Sequence, residues 1–187
     1  MDAFSYLSVL LAVILGLAIT QILQGLRGLL HTRETTAIYW PSLVWAGLVF
    51  LIAVQSWWAM FGLRQVTGWS FLAFAVVLLE NTCIYMVAAL VLPDFAEERR
   101  VDLRRTYFKQ VPWFYGIFIA ALIFSMLKDV VLAHSLPQGL NLGFHLFFIA
   151  GSLSLIFIRH ETFHKVFTVL SAVLFLGYIV ELFGYLH

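Results

Sequence analysis

The chain has a single cysteine, four prolines and few charged residues, and each scarcity narrows what it can be. With Cys83 alone, no intrachain disulfide is possible, and a metal cluster built from several cysteines of one chain is excluded. Charged residues make up 11% of the sequence and apolar ones 63%, a balance far from that of a soluble globular domain. No polar stretch is long enough for a soluble catalytic or nucleic-acid-binding domain, so no nucleic-acid partner is expected. The first apolar run has no basic segment before it and continues too far for a cleavable signal peptide, so it reads as a first span.

What is present is a series of long apolar runs, with a mean hydropathy of +0.97. A bilayer core requires about 20 apolar residues per helix. Runs at 4–30, 39–63, 70–92, 113–131, 140–158 and 166–186 meet that need. The expected fold is therefore all-α: one polytopic integral-membrane bundle over 1–187 with six transmembrane helices. Nine basic residues (Arg27, Arg33, Arg99, Arg100, Arg104, Arg105, Lys109, Arg159 and Lys165) fall in alternate connections, and only Arg64 and Lys128 lie on the other side. The positive-inside rule then makes the first, third and fifth connections cytoplasmic and leaves both termini outside, in a plasma or bacterial inner membrane. Trp40 and Trp113 fall near the inner interface and Trp57, Trp58 and Trp69 near the outer one, as an aromatic belt requires.

The long connection between Pro93 and Pro112 reads as a short cytoplasmic amphipathic helix over 94–111, opened by Asp94 and Glu97. Leu103, Tyr107, Phe108 and Val111 would rest on the inner leaflet while Arg99, Arg100, Arg104, Arg105 and Lys109 meet anionic lipid headgroups. The competing reading is a solvated helix with ion pairs such as Asp102 with Arg105. On the first span Ser8, Ala12, Gly16, Thr20, Gln24 and Gly28 recur every four residues. Small residues allow close helix approach in lipid, so this row is the expected packing face and a natural surface for a second copy or another membrane subunit.

Glu80 is the most informative residue, because ionisable groups inside a span are costly and usually face a protein interior or a water-filled cavity. Asn81 shares its depth, with Gln55, His145 and Glu181 somewhat nearer the outside. Burial disfavours the charged carboxylate unless it meets a cation or several donors. Lys128 is expected to snorkel outward and Asp129 to ring an outer vestibule in an oligomer.

His160-Glu161-Thr162-Phe163-His164 spells H-E-x-x-H and over these five residues resembles the zinc-binding helix of metalloproteases, including the intramembrane kind. The resemblance implies two imidazoles on one helix face and a glutamate base. The flanking Arg159 and Lys165 point instead to an interfacial turn, and Glu181 lies about 25 Å further along a helix, leaving His31, Glu34 or acids of the 93–112 connection as third ligands. Bis-histidine haem would need His31 with His164 or His145 with His187 at one depth. No metal or cofactor is expected. The leading expectation is an oligomeric channel or transporter with a titratable site at Glu80, rather than an enzyme. The alternatives are a non-transporting subunit that binds a lipid, quinone or partner protein, and a membrane metallohydrolase using the H-E-x-x-H segment.

Overall fold

The computed structural model describes residues 3–66, 68–95 and 101–183, with side chains described as far as Ile179. Apart from one isolated bridge, the regular elements among these residues are helical: α1 (Ala3–His31), α2 (Trp40–Ala59), a 3-10 turn (Met60–Gln65), α3 (Phe71–Val91), α4 (Leu103–Ala133), α5 (Gly139–Phe157) and α6 (Glu161–Phe183). Six helices are long and apolar enough to cross a membrane. Their outward residues suit that medium, since Val13, Leu17, Phe71, Leu72, Phe157 and Val173 are exposed. The architecture is that of a multi-pass membrane protein.

Local chemistry accounts for the helix ends. Pro41 sits in the first turn of α2, where a missing N–H costs nothing. Ser70 caps α3 by accepting a 3.1 Å hydrogen bond from the Ala73 N–H, and Asp102 caps α4 by accepting from the N–H groups of Arg104 and Arg105. His134 ends α4 in the left-handed region at φ 51°.

α2 to α6 form a ring in chain order, α6 returns to α2, and α1 lies outside it against α2 and α3. The alternating direction of the helices gathers the basic connections at one end. There the Ala37 N–H donates to Val101 and the Leu103 N–H donates to Ala37, tying the connection before α2 to the start of α4. Arg104 bonds Glu161 at 2.8 Å, tying α4 to α6.

Two expectations are corrected. Residues 103–111 do not form a separate surface helix, because α4 runs unbroken from Leu103 through Pro112 to Ala133. Proline removes one backbone hydrogen bond, but burial holds the segment in line: Leu103 and Val111 are each 1% exposed, so they face the bundle and not the leaflet. Asp102 serves as the cap rather than as a partner for the Arg105 side chain. Arg104, Arg105 and Lys109 are all exposed, and Arg104 is also engaged by Glu161; Arg99 and Arg100 lie outside the described residues.

The second correction concerns α1. Its buried stripe is Leu11, Leu15, Ala18, Ile22 and Leu29, while Gly16, Thr20 and Gln24 are exposed and Ser8, Ala12 and Gly28 only partly buried. A strict four-residue row turns about 40° per step, hence about 200° over the stretch, and cannot stay on one face. The alternating four-three spacing of the buried stripe does stay there. Close approach falls instead at Gly25, where a Cβ would meet the Leu92 Cβ at 2.9 Å, and at Gly28, where it would meet the Phe95 ring at 2.6 Å.

Gly25→Ala should therefore destabilise the protein by about 1–3 kcal/mol through overpacking. Gly16→Ala, at a position with nothing within 4 Å, should be neutral or stabilising by up to about 1 kcal/mol. Thermal unfolding of the two variants in detergent checks the pair; equal effects would count against this face assignment.

Candidate functional site

The ring encloses a cavity of about 330 Å³. Its deep end is buried and apolar, bounded by Trp45, Val49, Ile84, Val87, Phe118 and Phe148. Its other end is bounded by partly exposed residues at the end of the bundle away from the basic connections, among them Gln55, Ser56, Leu63, Lys128, Asp129 and Asn141. The cavity thus opens toward the end that carries the 3-10 turn and the start of α5.

Glu80, Asn81, Gln55 and His145 all line this one cavity, from α3, α2 and α5. The side chain of Glu181 lies outside the described residues. Glu80 is 8% exposed, and its Oε1 accepts a 2.8 Å bond from Lys128 Nζ. Lys128 therefore does not snorkel: its flexible stem turns inward and its ammonium reaches the buried carboxylate. Asp129, expected in a vestibule between copies, lines the cavity of a single chain.

Asn81 Nδ2 donates to the Val77 carbonyl at 2.7 Å, which leaves Oδ1 as the acceptor. That oxygen is buried without a hydrogen-bond partner among the described residues. His145 is 4% exposed, and its Nδ1 lies 2.8 Å from the Asn141 carbonyl oxygen. A carbonyl only accepts, so Nδ1 carries a proton and Nε2 of the neutral ring is an acceptor. The Tyr178 hydroxyl donates to Asn141 Oδ1, and its ring stacks on Phe144 with centroids 4.0 Å apart.

An aromatic plug lies beyond the deep end. The Trp45 ring meets Phe114, Tyr115 and Phe118 edge-on at 5.4–5.7 Å and stacks on Phe167 at 6.4 Å. Each such pair adds about 0.5–1.5 kcal/mol beyond its area. Phe167 reaches this position because Gly151 has no side chain; a Cβ there would collide with its ring. Trp45 Nε1 donates to Thr168 Oγ1 at 3.1 Å, and that hydroxyl donates to the His164 carbonyl.

The H-E-x-x-H segment is built into this packing. His164 is fully buried; its Nε2 lies 3.0 Å from the Ile158 carbonyl and its Nδ1 3.0 Å from the Tyr107 hydroxyl. Nε2 must donate, so Nδ1 accepts from Tyr107, whose oxygen in turn accepts from Tyr115 at 2.7 Å. No lone pair of this ring is left for a metal. His160 is exposed and precedes the helix, and the Glu161 carboxylate bonds Arg104 and Lys165. Among the described residues, no three His, Cys, Asp or Glu side chains are grouped to hold a metal ion. The same engagement of His164 removes it from a haem pair with the exposed His31, while His187, the partner considered for His145, lies outside the described residues.

Lys128, Asp129, Asn141 and Tyr178, with Ser56 and Ser125, are polar lining residues that sequence reasoning did not assign to a common site. A usable signal was present: a carboxylate inside a span needs a cation, and Lys128 and Arg64 are the only basic residues at that end of the bundle.

Lys128→Met should cost about 1–3 kcal/mol, less than the loss at a fully buried ion pair because the Lys128 side chain is partly exposed. Adding Glu80→Gln to it should restore most of that loss, and equilibrium unfolding of the single and double variants reads the coupling. For the second cluster, His164→Ala should cost about 1–3 kcal/mol through its unsatisfied partners, whereas His160→Ala should stay within about 0.5 kcal/mol of wild type. A metal site would make the two losses alike. The chain matches no family model, no curated protein and no solved structure, so the reading of the cavity rests on its own geometry.

Proposed function

We propose that this protein is a small-solute carrier of a plasma or bacterial inner membrane, seen with its binding cavity open on one side and closed on the other. The one-ended cavity carries the reading: polar groups gather within the ring near its open end, and the Trp45 plug lies between its deep end and the basic connections. A carrier needs such a site that faces one side at a time, whereas a channel needs an uninterrupted path. The charge bias among the connections supports cytoplasmic placement of the plugged end and outward opening of the cavity. In this reading Glu80 is the titratable element, Gln55, Asn81 and His145 are lining groups, and exposed Arg105 and Lys109 meet anionic headgroups. The pocket is formed within one chain, so the proposal requires no second copy, although exposed Gly16, Thr20 and Gln24 leave α1 a face that another copy or a membrane-complex subunit could meet.

A second reading is a non-transporting subunit that holds a lipid, quinone or similar molecule in the same cavity. The observation in its favour is that the plug is hydrogen-bonded through Trp45, Thr168 and His164 as well as packed, which raises the cost of opening it.

Flux in proteoliposomes separates the two readings. Wild-type protein should move solute across the bilayer in a pH-dependent way, and Glu80→Gln, whose amide oxygen can still accept from Lys128, should lose less stability than Lys128→Met yet lower the flux at least about tenfold, roughly 1.4 kcal/mol at the barrier. Ligand binding without flux would establish the second reading, and flux unchanged by Glu80→Gln at every pH would remove Glu80 from the pathway.

A further inference from the structure

Among the charged groups that line the cavity acceptors outnumber donors, and that imbalance points to the chemistry of its occupant. Two carboxyl groups, of Glu80 and Asp129, face it together with one ammonium, of Lys128. Lys128 bonds Oε1 of Glu80, and the Asp129 carboxylate, which lies in the attractive field of the neighbouring Lys128 ammonium, makes no hydrogen bond or ion pair among the described residues. Asn81 adds an independent observation. Its residue is 3% exposed and lines the cavity, its Nδ2 is committed to Val77, and its Oδ1 has no partner there. A buried acceptor left alone costs about 1–3 kcal/mol, so a ligand donor that shifts the side chains covering Oδ1 would remove a penalty already present in the fold.

Aromatic faces supply the other half of the site. Phe144 and Tyr178 stack beside Asn141 near the open end, and Phe118 and Phe148 meet edge-to-face at 6.0 Å at the deep end. Such faces attract cations and accept apolar bodies. A volume of about 330 Å³ is at the small end of ligand pockets.

From this geometry we infer that the cavity binds a small amphipathic amine, its ammonium donating to Asp129 and Asn81 and its apolar body lying among Phe144, Phe148 and Phe118. The inference rests on the cavity being a ligand site, as proposed above, and names the class of molecule it takes. A carboxylate of the same shape has no N–H to offer Asn81 and would be repelled by Asp129.

The test uses three probes that share a phenyl body: 2-phenylethylamine, 2-phenylethanol and 3-phenylpropanoate, each titrated into purified full-length protein in nanodiscs. Quenching or enhancement of tryptophan fluorescence reads binding, since Trp45 lies on the cavity wall, and thermal unfolding reads it a second way. The amine should bind at least about tenfold more tightly than the alcohol, and the carboxylate should not saturate. Asp129→Asn and, separately, Asn81→Leu should each weaken the amine about tenfold or more and the alcohol, whose hydroxyl is only a neutral donor, by clearly less. Having two variants keeps the test decisive if one of them fails to fold. Tighter binding of the alcohol or the carboxylate, or amine affinity untouched in both variants, would overturn the amine class and leave the cavity standing as a ligand site. Absence of saturable binding by all three probes to folded protein would count against the cavity reading and this inference together.

Discussion

A polar group inside a hydrocarbon layer has no water to bond with, so the protein must supply its partner. Much of the interior follows from that constraint. Glu80 is tolerated because Lys128 reaches it, and Lys128 is held because Glu80 receives it. His164 donates from one nitrogen and accepts at the other. Trp45 finds Thr168, and Thr168 finds the His164 carbonyl. Apart from the Thr168 bond, which stays within α6, these links cross between elements, where apolar side chains gain little by leaving one apolar surround for another and association depends on packing and hydrogen bonds.

The two ends of the ring meet this constraint differently. Near the basic connections aromatic rings fill the space, and the polar chain from Tyr115 through Tyr107 to His164 serves packing, although the buried Tyr39 hydroxyl has no partner there among the described residues. Toward the other end, the groups are of comparable polarity but stand around a volume that side chains do not fill. There the Asn81 acceptor stays without a partner. Histidine thus belongs to a packed wall at one end, as His164, and to a cavity lining at the other, as His145, and what separates the two is how much space surrounds them.

The H-E-x-x-H segment illustrates why motif and site can part company. Its letters match a zinc helix, but His160 lies ahead of the helix, and both nitrogens of His164 are consumed by protein groups, one at nearby Ile158 and the other at Tyr107, far away in sequence. Nothing local to the five residues foretells Tyr107. The four-residue row on α1 failed for a different reason, because a spacing that looks regular along the chain drifts around a helix whose turn is 3.6 residues.

Composition and the length of the apolar runs were enough to specify six membrane-capable helices, since a bilayer's thickness translates directly into a count of apolar residues. Depth along those helices also brought Glu80, Asn81, Gln55 and His145 to mind as one group, because helical rise maps residue number onto position across the layer. Only the tertiary structure could decide azimuth and partner: that the working face of α1 is Leu11 to Leu29, that α4 begins at Leu103 and continues through Pro112, that Lys128 turns inward, and that Asp129 and Tyr178 border the same cavity. Rotation about a helix axis and the choice of neighbour are set by side-chain packing between segments distant in the chain, and no property of a single segment encodes them.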